Sequence, residues 1–450
     1  MSPLGPVPDG WKLARFRDVT SKIGSGATPR GGEAGYRPTR SNYALIRSQN
    51  VLDRRFSAEG LAFISDTDAE SLRSVELREG DILLNITGDG MTFGRACAVP
   101  RDILPAVVNQ HVSIIRVRQD LALPGFVLSY LTHPVVKAYV ESFNAGGSRR
   151  AITKGHIESF ALPLPPLHEQ LAIAASLGVL DDKIELNRRM NATLEAMARA
   201  IFKSWFVDFD PVRAKAEGRE PVGMNSATAT LFPDSFEDSS LGEIPKGWAV
   251  RAYDESFEIL SGGTPKTSVQ DYWDGDILWF SVVDAPTPSD VYVVQTEKRI
   301  TEAGLENSAA RLLPKGTTIV TARGTVGKCA IVGRPMAMNQ SCYGLRGRAA
   351  IGSAFTYFVI SHLVTLLQQR AHGSVFDTIT RDTFASLSVV VPSEKLLFEF
   401  EDEVKPLLER VLNNLHESHT LAALRDTVLP KLLSGEIRVK DAEKFVSAAT

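Results

Sequence analysis

Cysteine and long hydrophobic runs are scarce in this sequence. Its three cysteines, Cys97, Cys329 and Cys342, have spacings typical of neither a disulfide framework nor a zinc site. No apolar run reaches the roughly 18–20 residues that a membrane-spanning helix needs, so we expect no membrane partner. The first residues, MSPLGPVPDGWK, lack the basic and apolar regions of a secretory signal. These absences predict a cytoplasmic protein with reduced thiols.

Excess charge of one sign is also absent. The formal net charge is −3, from 50 Lys and Arg against 53 Asp and Glu. This balance excludes a generic polycation that coats nucleic acid, although it permits a local basic face. At 450 residues the chain exceeds the ~250–300 residues at which single cores usually stop growing. We therefore expect an ordinary globular protein with more than one domain.

Catalytic signatures are missing as well. ARGTVGKC (322–329) has the wrong glycine spacing for a phosphate-binding loop, and HEQLA (168–172) lacks the second histidine of a zinc-protease helix. TGDGMTFG (87–94) has no strand-to-helix switch with an acid about 20 residues on, as a dinucleotide site requires. The eight histidines are scattered. An autonomous enzyme, such as a nuclease, is therefore not favoured.

What the sequence does contain is an internal repeat. The offset between matching stretches drifts from about 237 to about 226 residues, as loop insertions would make it. The pattern predicts a duplication of units of roughly 160 residues. The matching pairs are GSGATPR (24–30) with LSGGTPK (260–266), REGDILL (78–84) with PKGTTIV (314–320), FGRACAV (93–99) with VGKCAIV (326–332), NQ (109–110) with NQ (339–340), and GGSRRAITK (146–154) with HGSVFDTITR (372–381).

Within each repeat, short runs rich in Val, Ile and aromatic residues alternate with Gly, Pro, Asn and Asp. ALIRSQNV, DILLNIT, HVSIIRV, DILWFSVV and TTIVTA are typical of strands. Helices are expected at 126–143 and 355–370. The predicted class is α+β: two repeated α/β domains joined by two long antiparallel coiled-coil helices with pseudo-two-fold symmetry.

A long amphipathic helix is predicted after each repeat. The apolar positions of both helices alternate three and four apart, the ~3.5-residue period of a coiled coil. We predict that the two helices pack on each other, with an asparagine at the same seam position in both to fix the register. The alternative is that each helix packs only on its own domain. The predicted seam contains Leu180, Ile184, Asn187, Leu194, Leu407, Val411, Asn414 and Leu421.

These patterns predict six segments along the chain. The segment after the first helix is called a linker because it is polar, small and without period. The predicted segments are domain 1 (1–165), spacer helix 1 (166–207), the linker (208–240), domain 2 (241–392), spacer helix 2 (393–435) and a C-terminal tail (436–450).

Three stretches carry a resemblance to a known family. They are PLPPLHEQLAIAASLGVLDDKIELNRRMNATLEAMARAIFKSWFVDFDPVRAK (163–215), GMNSATATLFPDSFEDSSLGEIPKGW (223–248) and LRDTVLPKLLSGEI (424–437). Together with the repeat, they make the chain resemble the DNA specificity subunits of type I restriction–modification systems over nearly its whole length. One departure is that the second helix begins VPSEKLLFEFEDEV and lacks the PPLxEQ start of the first. This departure weakens any claim that the two ends dock partners equally.

The resemblance implies a non-catalytic subunit that reads an asymmetric, bipartite site in double-stranded DNA. Each domain, as a target-recognition domain, would read one half-site, and the helices would set the unread spacer. Two adenine-N6 methyltransferase subunits would dock on the chain, and restriction subunits would complete the assembly. The resemblance implies no cofactor in this chain, because the partners would bind S-adenosylmethionine, ATP and Mg. The alternative is a coiled-coil scaffold whose repeated domains bind protein.

Candidate DNA contacts come from the repeated loops. Glycines there would let the backbone approach a phosphate, while Thr, Lys and Arg supply donors for phosphates or bases. The alternatives are a plain turn or a solvated surface run. The candidates are Thr28, Arg30, Arg95, Arg149, Arg150 and Lys154 in domain 1, and Thr264, Lys266, Arg323, Lys328 and Arg381 in domain 2.

Other side chains in the repeats have a second interpretation. The Asn-Gln pairs at 109–110 and 339–340 could read adenine edges, but we favour buried amides that hold the sheet. Tyr272 and Trp273 are favoured as core aromatics over stacking platforms. We expect Arg323→Ala or Arg149→Ala to weaken binding at one half-site only, by roughly 1–3 kcal/mol for a lost base contact.

Overall fold

The computed structural model describes residues 2–29, 31–37, 39–40, 42–145, 150–286, 291–370 and 378–438. The chain forms two compact units. Unit 1 contains residues 1–184 and 419–450, and unit 2 contains residues 185–418. Each unit therefore combines one repeat with segments of both long helices.

Unit 1 is built on two small sheets. One sheet has the order β2-β11-β7-β9 and is antiparallel, and the other has the order β10-β3-β6, with β10 parallel to β3. The first helices and strands in chain order are β1 (Lys12–Arg15), α1 (Phe16–Val19), β2 (Thr20–Ser25), β3 (Tyr43–Ile46), β4 (Val51–Leu52), β5 (Arg55–Phe56), β6 (Ala62–Ile64), α2 (Asp66–Ser71), β7 (Ile82–Asn85), β8 (Thr87–Gly88), β9 (Ala96–Ala98), β10 (Ala106–Val108), β11 (Val112–Val117), α3 (Pro124–Leu131), α4 (Pro134–Ser142), β12 (Arg150–Ala151), α5 (Lys154–Ser159), β13 (Ala161–Leu164) and the long helix α6 (Leu167–Phe206).

Unit 2 repeats this plan. Its larger sheet has the order β17-β24-β21-β22-β19, and its smaller sheet has the order β20-β18-β23, with β18 parallel to β23. The remaining elements are α7 (Asp210–Ala216), α8 (Ser226–Thr230), β14 (Phe236–Ser239), β15 (Gly242–Pro245), β16 (Ala249–Ala252), α9 (Tyr253–Ser256), β17 (Phe257–Ser261), β18 (Trp273–Phe280), β19 (Tyr292–Val293), β20 (Lys298–Ile300), α10 (Glu302–Glu306), β21 (Thr318–Thr321), β22 (Cys329–Val332), β23 (Met336–Met338), β24 (Cys342–Gly347), α11 (Ser353–Arg370), α12 (Arg381–Ala385), β25 (Ser388–Val391) and the long helix α13 (Glu394–Leu433).

The duplication predicted from sequence is thus confirmed at the level of strand order. In each repeat the first strand pairs with the last, β1 with β13 and β16 with β25. The predicted strand runs coincide with β3, β7, β11, β18 and β21. They form strands because their Val, Ile and aromatic side chains pack well on a pleated surface.

The helix expected over 126–143 is divided into α3 and α4. Pro134 is the first residue of α4, and His133 precedes it in an extended conformation. Proline has no N–H and its ring disfavours a helical residue before it, so the first helix ends and a second begins. Sequence periodicity alone did not separate the two helices.

In unit 1 the two long helices pack on each other with opposite directions. Leu177 shares a core with Val428 and Leu432, whereas Leu180, further along α6, packs on the earlier residue Leu421. Ile184 and Leu424 flank the second contact. Three of the predicted seam residues, Leu180, Ile184 and Leu421, therefore lie at this contact.

In unit 2 the seam contains a buried polar layer. Asn187 Nδ2 donates to Glu417 Oε2 at 2.7 Å and to Ser418 Oγ at 3.3 Å, and Asn414 Nδ2 donates to Asn191 Oδ1 at 2.8 Å. Buried amides are costly unless they are paired, so a shifted register would leave them unsatisfied. The predicted asparagine pair thus forms bonds that define the helix register.

The other predicted seam residues of unit 2 lie in or beside its main core. Val411 is fully buried, and Leu194 and Leu407 pack at the edge of the core. The centre of this core is aromatic, with Phe202 between Phe355, Phe358 and Phe400. Ring pairs of this kind add roughly 0.5–1.5 kcal/mol each to simple burial.

The segment interpreted from sequence as a linker is folded against unit 2. It contains α7 and α8, and Val212 and Phe232 are buried in the main core. Lys215 Nζ donates to the carbonyl oxygens of Ala229 and Phe232, which joins the two helices. Isolated apolar residues among polar ones give no periodic signal, so the sequence did not reveal this packing.

Candidate nucleic-acid interface

The loop after β2 in unit 1 is anchored to its own domain. Gly26 N donates to Asn109 O at 3.1 Å, and a Cβ at Gly26 would lie 1.6 Å from Val108 O. Any larger residue would therefore displace the end of β10. The glycine lets two segments of the same domain approach closely, whereas the sequence suggested an approach to a phosphate.

The corresponding loop of unit 2 is anchored in the same way. A Cβ at Gly262 would lie 2.0 Å from Asn339 O, and one at Gly263 would lie 2.3 Å from the backbone of Ala309 and Ala310. The repeated glycines in GSGATPR and LSGGTPK thus have a shared structural cause.

Two tryptophans of β18 donate hydrogen bonds to backbone carbonyl groups of this second loop. Trp279 Nε1 donates to Gly263 O at 3.0 Å, and Trp273 Nε1 donates to Lys266 O at 3.2 Å. The Trp273 ring also lies 5.9 Å from the Lys298 ammonium group. Both indoles are therefore used inside the domain, and the Lys266 side chain remains exposed at the loop's end.

The threonine of each loop is bonded to the glutamine of an Asn-Gln pair. Thr28 Oγ1 donates to Gln110 Oε1 at 2.5 Å, and Thr264 Oγ1 donates to Gln340 Oε1. Sequence reasoning singled out both motifs but did not pair them. A signal was present, because both motifs recur in both repeats at similar separations of 82 and 76 residues.

The two residues of each Asn-Gln pair differ in exposure and in hydrogen-bond partners. Asn109 Oδ1 accepts from His111 N, and Asn339 Oδ1 accepts from Ser341 N, both at 3.0 Å. These bonds close the turn between two strands. Gln110 and Gln340 are exposed. The interpretation as amides that hold the structure therefore applies to the asparagines but not to the exposed glutamines.

His111 extends the polar network of unit 1 and was missed at the sequence level. Its Nδ1 shares a hydrogen bond of 2.6 Å with Thr87 Oγ1, and its Nε2 lies 3.2 Å from Gln110 Nε2. An amide nitrogen only donates, so His111 Nε2 accepts and Nδ1–H donates to Thr87. The only sequence signal was its place directly after the Asn-Gln pair.

The second candidate loop of unit 1, residues 87–95, is ordered by Asp89. Its Oδ1 accepts from Thr92 Oγ1 at 2.7 Å, Thr92 N at 2.8 Å and Met91 N at 3.1 Å. These hydrogen bonds, led by the Thr92 hydroxyl, lower the pKa of Asp89. Arg95, a predicted contact, lies half-buried at the end of this loop.

Strand pairing brings two predicted regions of unit 1 together. Strand β12 pairs with β8, so Arg150 lies opposite Gly88. Arg150 Nη2 forms an ion pair of 2.7 Å with Glu141, and Lys154 lies 3.5 Å from Glu158. Both cations thus have an acidic neighbour. Arg30 and Arg149, two further candidates, lie outside the described residues.

The counterpart loop in unit 2 is three residues shorter and more basic. Arg323 occupies the position of Thr87 and forms a backbone bridge with Thr378. Arg323 and Lys328 are exposed, and within the described residues neither side chain has a hydrogen bond or ion pair. Their donors are available to a ligand.

Arg381, by contrast, is used within unit 2. Its Nη2 donates to Ile259 O and to Ser261 Oγ, both at 3.2 Å. Ser261 lies at the start of the loop that carries Thr264 and Lys266. Arg381 therefore supports the base of the candidate loop.

The described residues show neither a candidate metal centre nor a reactive thiol. They contain no group of three or more His, Cys, Asp or Glu side chains that could hold a metal ion. Burial raises the pKa of Cys97, Cys329 and Cys342 to about 12 in each case, so these thiols are protonated near neutral pH and are poor nucleophiles. None of the described helices is long and apolar enough to span a membrane.

Comparison with known proteins identifies the repeat. The family model of the type I restriction modification DNA specificity domain matches residues 8–196 and again residues 245–395. The specificity subunit of the type I restriction enzyme HindI from Haemophilus influenzae is 27% identical over 439 residues, which cover 88% of this chain and 94% of that protein. A putative type I MjaX specificity subunit from Methanocaldococcus jannaschii is 20% identical, with 97% and 96% covered.

A solved structure agrees with the fold. The S subunit of a type I restriction–modification system from M. genitalium superposes with a TM-score of 0.52 at 14% sequence identity, covering 96% of this chain and 99% of that one. The two family matches fall on the two repeats that share a strand order, and together they span most of the sequence. The chain belongs to the family of type I restriction–modification DNA specificity subunits.

Proposed function

We propose that the two domains read different halves of one split sequence in double-stranded DNA. The observation that carries the proposal is a common Thr–Gln pair in both domains, surrounded by side chains that differ. Thr87 and His111 flank the pair's glutamine in unit 1, where Arg323 and Ser341 occupy the matching positions in unit 2. A shared Thr–Gln pair with different surrounding side chains is suited to two domains that recognise different bases.

The exposed cations supply the phosphate and base contacts of this proposal. Arg323, Lys328 and Lys266 in domain 2 have exposed side chains, and arginine can form a bidentate contact with guanine. In domain 1, Arg95, Arg150 and Lys154 occupy the corresponding region. Arg150 and Lys154 already have acidic neighbours and would exchange them for phosphate oxygens on binding.

The chain is proposed to act as a non-catalytic subunit in the cytoplasm. Two methyltransferase subunits would bring S-adenosylmethionine, and restriction subunits would bring ATP and Mg. The long helices, on which partner subunits would dock, carry large exposed apolar side chains. They are Leu167, Leu171, Val179, Leu186 and Met197 on α6, and Phe398 on α13.

The test is to co-express this chain with its methyltransferase subunit in a host without adenine methylation and to map N6-methyladenine by long-read sequencing. The expected result is one split motif, methylated on both strands, that is absent when either subunit is expressed alone. A complex that forms without any motif would contradict the proposal. It would instead favour a scaffold whose domains bind protein.

The contribution of one cation can be measured in the same complex. Arg323→Ala should weaken binding at one half-site, by roughly 1–3 kcal/mol if the arginine contacts a base. An equal loss on all DNA sequences would indicate a phosphate contact. Unchanged binding would remove Arg323 from the interface.

A further inference from the structure

The Asn-Gln motif supports a more specific assignment, which rests on the proposed function. We infer that Gln110 and Gln340 read a base edge in the major groove, and that Thr28 and Thr264 are the residues that position them. The ligand chemistry that fits is adenine, which presents an acceptor at N7 and a donor at N6.

The orientation of the glutamine side chains supports this assignment. In both repeats the asparagine side chain turns inward and closes the strand-to-strand turn, at 3.0 Å from the N–H two residues on. The neighbouring glutamine is thereby directed outward and is exposed. Two independent copies of the motif keep this arrangement although most loop residues around them differ.

The glutamine side chains are also preorganised. An exposed glutamine normally samples many rotamers, and fixing it costs up to roughly 1.5–2 kcal/mol. Here each carboxamide oxygen already accepts from a threonine hydroxyl. That threonine lies in a loop that is held by the close contact of Gly26 with the end of β10, or of Gly262 with the end of β23. The carboxamide is therefore fixed before any DNA arrives.

Each glutamine carboxamide retains hydrogen-bonding capacity for a ligand. A carboxamide oxygen has two lone pairs, and the threonine uses one, so the other can accept from adenine N6–H. Gln340 has no further bond within the described residues, and both of its N–H groups are available to N7. Gln110 donates one N–H to His111 and retains the other. Both glutamines can thus form the bidentate contact with adenine.

The experiment uses the full chain in complex with its methyltransferase subunit and a DNA library randomised at each position of the split motif. Gln340→Leu should reduce the preference for adenine at one position of one half-site by about 5- to 150-fold, as expected for a lost bidentate contact. Gln110→Leu should do the same at one position of the other half-site. Each variant is the matched control for the other.

Two further variants separate base reading from loss of structure. Gln340→Glu keeps the shape but cannot donate to N7, so the preferred base at that position should change from adenine towards cytosine. Thr264→Val should weaken the same preference to a smaller extent, and Thr264→Ser should restore it. If Thr264 had only a structural role, Thr264→Val would lower binding to all DNA sequences equally.

The outcomes distinguish the inference from the function on which it rests. If the unsubstituted complex shows no split motif, the proposed function fails. If the motif is present and Gln110→Leu and Gln340→Leu leave every base preference unchanged, or weaken all sequences equally, the function stands and the glutamines do not read bases.

Discussion

The two domains are joined to their long helices by different side chains at matching places. In unit 1, the side chain of Gln170 on α6 is fully buried and accepts from Leu123 N at 2.9 Å. It also donates to the carbonyl oxygens of Leu121 and Pro165, at 3.0 and 2.9 Å. One amide thus satisfies three backbone groups, two just before α3 and one just before α6.

In unit 2 the position that matches Gln170 is the buried Leu397, and the polar contact moves one turn along α13. There, Glu401 accepts from the backbone N–H groups of Phe355 at 2.8 Å and Ala354 at 3.2 Å. Its counterpart on α6 is Ala174, whose methyl group lies near Gly125. The same junction is therefore made by an amide in one unit and by a carboxylate in the other.

This difference accounts for the absence of one residue of the PPLxEQ start, the glutamine, from the second helix. The glutamine of that motif is used inside unit 1, so it is not a surface for a partner. Its absence from α13 is compensated by Glu401. The expectation that partner docking differs between the two helix starts stays a prediction.

The junctions also differ further along the helices. In unit 1, Asp181 on α6 lies between Arg54 and Arg425, with contacts of 2.5 and 2.8 Å. The matching residues of unit 2 are Leu408 and Ala198, which are buried in its apolar core. Ion pairs therefore stabilise this contact in unit 1, whereas apolar packing stabilises the matching contact in unit 2.

The largest effect on stability is expected when Asp181 of unit 1 is replaced by leucine, the residue at the matching position of unit 2. Asp181→Leu should lower the free energy of unfolding by about 3–5 kcal/mol, because it leaves two largely buried guanidinium groups without their shared carboxylate. Urea unfolding with hydrogen exchange over residues 42–145 would locate the loss. The control is Asp426→Asn, which removes the exposed partner of Arg425 and should cost less than about 1 kcal/mol.

Replacing the buried amide should have the next largest effect. Gln170→Leu copies Leu397 and leaves the Leu123 N–H and two carbonyl groups without a partner, at about 3 kcal/mol in total. The same unfolding assay applies. His168→Leu, at an exposed position two residues earlier, should change stability by no more than about 0.5 kcal/mol. Equal effects of the two changes would contradict the role given to Gln170.

A smaller effect is expected from the reciprocal change in unit 2. Glu401→Ala copies Ala174 and removes the acceptor at the start of α11, which should cost about 1–2 kcal/mol. Amide hydrogen exchange of Ala354 and Phe355 should accelerate relative to that of β21. Unchanged protection at these two amides would show that the carboxylate does not hold the helix start.

The smallest effect concerns pH. Burial raises the pKa of Glu401 above its ordinary value of 4.5, although the N–H groups of Phe355 and Ala354 oppose the shift. The folded state then holds the proton more tightly than the unfolded state, so this contribution to stability is lost as pH rises above about 4.5.

Glu401→Gln should remove that pH dependence while keeping an acceptor oxygen. As pH rises above about 4.5, the unfolding free energy of the unsubstituted chain should fall relative to that of the variant. Unfolding curves at several pH values would measure it. Parallel pH profiles would show that Glu401 does not titrate differently in the folded state.

Several features were predictable from sequence because their signals are periodic or repeated. The seam spacing of Leu180, Ile184 and Asn187 predicted a helix pair, and the recurrence of GSGATPR predicted two similar domains. Strand runs such as DILLNIT were recognised from their composition. These features depend on residues that are neighbours in the chain or separated by a constant offset.

The bonds that build the candidate interface were not predictable in this way. Thr28 and Gln110 are 82 residues apart and meet only because β2 and β10 end at the same place. The exchange of Gln170 for Glu401 depends on which backbone groups each buried side chain faces. The sequence by itself determined the two domains, the two helices and the residue types available for DNA. Only the tertiary structure decided which side chains serve the interior and which face outward, because it alone brings distant backbone groups within hydrogen-bonding distance.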